Sequence, residues 1–153
     1  MMAGTMQKIF DLRNIVLAKH AQHVVLVHFP IALFVTGICF DFLSVTKRFA
    51  RLADAAYLNL SIAAFSVLPT FVTGLLAWQF ALEGKRLKGL LLWHLIAGSG
   101  SALLVVASWW LHREARRTEP ALFPVYRFPL EMIGLVLVAF TAHLGGYLSG
   151  INS

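Results

Sequence analysis

Four long apolar stretches, near residues 23–45, 55–82, 90–111 and 130–149, are separated by short polar, basic breaks. A bilayer core of about 30 Å needs about 20 helical residues, and each stretch is long enough. In hydrocarbon a chain must satisfy its backbone polar groups internally, so each stretch predicts a spanning helix. Pro30 falls in the first turns of the first stretch, where a missing amide donor costs little. Pro69 and Gly74 fall inside the second and predict a tilt or kink there. Trp109 and Trp110 read as an interfacial anchor closing the third. Ahead of the spans, Ile9, Leu12 and Val16 share one helical face and Lys8, Asp11 and Asn14 another. This pattern predicts an amphipathic interfacial segment over residues 1–22. It has no basic n-region, short apolar core or small-residue cleavage site, so it is expected to be retained. The fold class expected is all-α, an integral membrane up-down four-helix bundle with both termini on one face.

Composition agrees with that pattern. Hydrophobic residues make up 59% of the 153 residues and charged residues 13%, against about a quarter charged in soluble domains. The net charge of +6 is dispersed over the loops. It fits contact with anionic membrane lipids and argues against nucleic acid as a partner. Lone Cys39 excludes an intrachain disulfide, a thiolate cluster and the paired thiols of covalent haem attachment. With the termini on side A, that side carries Lys8, Arg13, Lys19, Lys85, Arg86 and Lys88. Side B carries Lys47, Arg48, Arg51, Arg113, Arg116, Arg117 and Arg127. The positive-inside rule leans, by one residue, toward side B being cytoplasmic. No nucleophile elbow, phosphate-binding loop or paired-carboxylate arrangement is present.

The candidate chemistry is a set of histidines. His28 lies about five residues into the first span, His94 about four into the third, and His143 about six from the end of the fourth. At 1.5 Å per residue, all three fall roughly 6–9 Å below side A. His23 lies about 7.5 Å above His28, and five residues turn a helix by about 500°, so these two point apart. Small residues accompany the layer: Ala32 and Cys39 near His28, Ala97, Gly98 and Ser101 near His94, Ala139 and Gly146 near His143. Such faces serve ordinary helix packing or the flat side of a macrocycle. An ionisable group in a span is by default a functional hypothesis. Imidazoles without carboxylates at the same depth suit haem iron or a bare copper or zinc ion. Two charged residues fall outside this layer. Asp41 is expected to pair with Lys47 or Arg48 at its own helix end, and Glu131 with Arg127 one turn away.

The opening His23-xxxx-His28-Phe-Pro-Ile-Ala-Leu, then Asp41, the His94 helix start and the closing His143-Leu-Gly-Gly-Tyr-Leu resemble the bacterial domain of unknown function 2231 family over roughly residues 20–151. The resemblance implies a four-helix membrane protein, of a kind often encoded near redox and cytochrome genes. The family's first histidine is usually followed by proline, where this chain has Val24, so the carry-over rests on His28, His94 and His143. The expected function is a membrane redox protein of the bacterial inner membrane. It would bind haem b through His28, His94 and His143, with Gly98 and Gly146 against the macrocycle, and exchange electrons with a quinol or cytochrome. A stand-alone enzyme is less expected than an electron-transfer or accessory subunit. The histidine layer is expected on the non-cytoplasmic side. Two alternatives remain open. One is a haem-free copper or zinc module using His28, His143, His94 and His23. The other is a structural subunit docking other membrane subunits through the aromatic loop 121–128.

Overall fold

A computed structural model describes residues 19–81, 84, 86–117 and 126–150. Residues 1–18 of the expected interfacial segment and 118–125 of the third loop lie outside these. The described chain is helical: α1 (Lys19–Leu26), α2 (His28–Ser44), α3 (Leu52–Leu76), α4 (Gly89–Arg117) and α5 (Arg127–Leu148). A 3-10 turn at Lys47–Phe49 joins α2 to α3, and a π-helical turn, Ala77–Ala81, extends α3. Four stretches are long and apolar enough to cross a membrane: Gln22–Ser44, Leu52–Phe80, Gly89–Ala115 and Arg127–Leu148. Consecutive spans run antiparallel, giving the up-down bundle.

Chemistry at the helix ends explains several bounds. Asp54 lies in the first turn of α3 and Arg116 and Arg117 in the last turn of α4, each favourable to the helix dipole. After α5, the Ser149 amide donates to Gly145 O at 2.9 Å, and Gly150 takes φ +77°, which ends the helix. The first span is broken into α1 and α2 at Val27. Pro30 has no amide hydrogen for Leu26 O, four residues earlier. The Thr70 hydroxyl approaches that carbonyl at 3.4 Å while donating to Ser66 O at 2.8 Å. The His28 ring Nδ1 donates to Val24 O at 2.6 Å across the same break.

Packing follows membrane logic, with apolar side chains outside as well as inside. Phe65, Leu68, Leu103 and Val136 are each about two-thirds exposed or more, as lipid-facing residues should be. The helices close instead through small residues, because lipid tails are as apolar as the side chains they would replace. A Cβ at Gly134 of α5 would fall 2.8 Å from Phe34 Cζ of α2, and one at Gly37 of α2 3.0 Å from Leu60 of α3. One at Gly100 of α4 would meet Leu137 of α5 at 3.0 Å. Around these glycines Phe34, Ile38, Leu60, Ala63, Val105 and Val138 form the buried core. The closest associations are α2 with α3 and α4 with α5. Contacts between α2 and α5 (Phe34 with Gly134, Phe42 with Phe128, Asp41 with Arg127) lie toward side B.

Candidate functional site

The two ends of the bundle hold different chemistry. At side A His23, His28 and His94 are each held by a backbone carbonyl. The His23 ring Nδ1 donates to Thr70 O at 3.1 Å and lies 3.4 Å from the Thr73 hydroxyl, with Gly74 beneath the ring. This docks α1 on α3. His94 Nδ1 donates to Thr141 O at 3.2 Å, and its Cε1 is 3.2 Å from where a Gly145 Cβ would be. A carbonyl can only accept, so these nitrogens carry hydrogen. In a neutral imidazole that leaves Nε2 as the nitrogen with a lone pair. Beneath His94, Thr141 Oγ1 donates to Leu137 O at 2.8 Å, so Ser101 Oγ donates to Thr141 across 3.0 Å. His94 is half-buried, whereas His28 and His143 are exposed on the outer surface, and His143 meets the Tyr147 ring edge-on at 5.0 Å. Gly98 faces Thr141, 3.6 Å from Cβ position to methyl.

Side B buries a quartet. Arg127 Nε donates to Asp41 Oδ2 at 2.8 Å, joining α5 to α2. His112 Nε2 and Glu131 Oε1 are 2.8 Å apart, joining α4 to α5. The side chains of Glu131, His112 and Asp41 are 0%, 4% and 5% exposed. One ligand atom from each of these three lies within 4.8 Å of the others, and no other His, Cys, Asp or Glu trio among the described residues is so placed. Just outside, Arg116 of α4 donates to Asp54 of α3 at 2.6 Å and to Ala53 O at 3.2 Å, with its guanidinium 4.4 Å from the Tyr57 ring centre. Three side-chain pairs therefore tie all four spans together at this end.

The quartet corrects two expected pairings. Asp41 is bonded to Arg127, not to Lys47 or Arg48, and Glu131 to His112 rather than to Arg127. The cause is rotational phase. Pro30, Phe34, Ile38 and Asp41 are all buried on one stripe of α2, so the Asp41 carboxylate faces inward, away from its own helix end. His112 also lies within a span, because α4 continues past Trp109 and Trp110 to Arg117. The sequence carried a signal for this: Ser101, Val105, Ser108, His112 and Ala115 repeat at spacings of four and three and are all buried. The tryptophans still mark an interface. Arg113 lies over both rings, 5.9 Å and 5.1 Å from their centres, as a snorkelling side chain would.

Of the expected ligands, then, His94 is placed at the α4–α5 seam beside Gly145, and His28 and His143 open outward from α2 and α5. A model of the predicted membrane protein family DUF2231 matches residues 19–150. The chain belongs to that family. No curated protein and no solved structure matches it. Family and fold together make this DUF2231 protein a multi-pass membrane protein in contact with lipid.

Proposed function

We propose that this DUF2231 protein is a redox subunit of the bacterial inner membrane that binds haem b at the side A histidines and exchanges electrons with a quinol or cytochrome. The observation that carries the reading is the setting of His94. Its Nδ1 is held by Thr141 O from the neighbouring helix, its ring lies against Gly145, and Gly98 is one turn along. A carbonyl on Nδ1 fixes the ring's tautomer and orientation and raises the basicity of Nε2, the usual second partner of a metal-bound histidine. His28 shows the same arrangement on Val24 O and is the second ligand favoured. His143 is the alternative. Bound haem would supply one-electron transfer. The chain's part is to orient the imidazoles, offer a surface of small residues and set a low dielectric. Both His28 and His143 open outward, so either would hold the haem from the lipid-facing side of the bundle.

A reduced-minus-oxidised absorbance spectrum of protein expressed with ample haem tests this. A Soret shift and an alpha band are expected, both lost or reshaped in His94→Ala. Absence of both bands in the wild-type protein would sink the proposal. Zinc or copper bound in stoichiometric amount and lost with His94 would replace haem by a bare ion at the same histidines.

A further inference from the structure

The side B quartet has a use that the haem reading does not cover. Its donor set is one imidazole and two carboxylates from three different helices: His112 of α4, Asp41 of α2 and Glu131 of α5. Within it Glu131 Oε2 is fully buried and has no hydrogen-bond partner among the described residues. A carboxylate oxygen shut away from water without a donor is costly, and more so at membrane depth. A bound cation would remove that cost.

We propose that Asp41, His112 and Glu131 form a binding site for a divalent transition-metal ion of the zinc or manganese class, with Arg127 as its outer partner. The ligand atoms already lie within 4.8 Å of one another. An ion about 2.1 Å from each in tetrahedral geometry places them roughly 3.4 Å apart. Closing the difference takes side-chain movements of about an ångström. On binding, the ion displaces any proton held between His112 and Glu131, and both become ligands. Arg127 keeps its bond to Asp41 Oδ2 and so orients a ligating carboxylate, the role outer partners play in metal sites. Three protein ligands leave one position open. Two carboxylates neutralise the ion, and the guanidinium beside them then favours an anion in that position. The site is therefore suited to a metal ion with a small anionic ligand, at the end of the bundle opposite the histidine layer.

Calorimetric titration of chelator-treated, full-length protein in detergent with zinc and with manganese tests the assignment. One ion per chain is expected for at least one of them. Loss of an outer partner costs about 10- to 100-fold in metal affinity, so Arg127→Lys should weaken binding by that factor. Removal of a ligand in Glu131→Gln should weaken it further, while His94→Ala should leave it unchanged. No binding to the wild-type protein, or equal binding by Glu131→Gln, would overturn the site. If Glu131→Gln does not fold, zinc-edge X-ray absorption of the wild-type protein decides: one imidazole among oxygen ligands supports the site, and several imidazoles place the ion at side A instead. Haem is scored separately by absorbance, so failure of the redox reading and failure of this site are distinct results.

Discussion

At side A the polar groups are spread out, and at side B they are shared. His23, His94 and His28 each bond a backbone carbonyl, and His28 and His143 face outward. At side B Asp41, Arg127, His112 and Glu131 are held within the bundle by two side-chain pairs of 2.8 Å. The number of spans involved does not separate the two ends, since each carries ionisable residues from three of them. Rotational phase does. Asp41, His112 and Glu131 each continue a buried stripe of their helix, whereas His28 and His143 lie off the stripes that pass through Phe34 and Val138. The consequence is energetic. A carbonyl-bonded histidine on the outer face can be replaced at small cost, but a buried ion pair cannot lose one member alone.

The largest effect expected breaks that contrast most directly. Asp41→Asn leaves the Arg127 guanidinium buried without its carboxylate, and losing one partner of a buried pair costs about 3–5 kcal/mol. His28→Gln, on an exposed ring, should change stability by no more than about 0.5 kcal/mol. Removing both charges, Asp41→Asn with Arg127→Gln, should recover much of the loss, because neither charge is then stranded. Reversible unfolding in mixed detergent micelles measures all three. Equal costs for Asp41→Asn and His28→Gln would show that the two ends do not differ as their burial implies.

The same phase argument explains what could be read from the chain. The four spans and the bundle were legible because hydropathy over 20 residues is a strong, local signal. The partners of Asp41 and Glu131 were not, because they come from other helices and not from the same helix end. A third stretch ending at residue 111 leaves His112 just outside it, because Trp109-Trp110 reads as a terminus. The run Ser101, Val105, Ser108, His112, Ala115 keeps its phase past residue 111 and extends the helix by about one turn. The break at Val27 also follows from residues already visible: Pro30 frees Leu26 O, and a threonine on the next helix supplies a hydroxyl near it.

A middle-sized effect separates the tight half of the bundle from the looser one. Gly134 is packed under Phe34, and a Cβ there would meet the ring at 2.8 Å and 3.1 Å. The ring is fully buried and has no room to withdraw. Gly134→Ala should therefore destabilise by about 1–3 kcal/mol, the usual cost of overpacking. Gly98→Ala, whose new methyl would meet Thr141 at an ordinary 3.6 Å, should be close to neutral in stability. Phe34→Leu shortens the opposing side chain, so the double variant with Gly134→Ala should lose less than the two singles added together. Strict additivity would mean that ring and glycine do not constrain one another. Gly98→Ala carries a second readout: a haem spectrum that shifts while stability holds would place the macrocycle against that glycine.

The smallest effect distinguishes the buried quartet from the ion pair just outside it. Arg116 and Asp54 are 2.6 Å apart, shorter than either buried pair, yet the Asp54 side chain is 85% exposed. Distance would rank this contact first, and solvation ranks it last. Exposed pairs contribute about 0–1 kcal/mol and are screened by salt. Arg116→Gln should accordingly cost less than about 1 kcal/mol in low salt, part of it from the Ala53 carbonyl and the Tyr57 ring that the guanidinium also meets. Raising the salt concentration should shrink that cost further, while leaving the penalty of Asp41→Asn almost unchanged because Asp41 and Arg127 are shielded from counterions. A salt-independent Arg116→Gln effect would assign its role to the carbonyl and ring contacts. A salt-dependent Asp41→Asn effect would mean that water reaches the quartet.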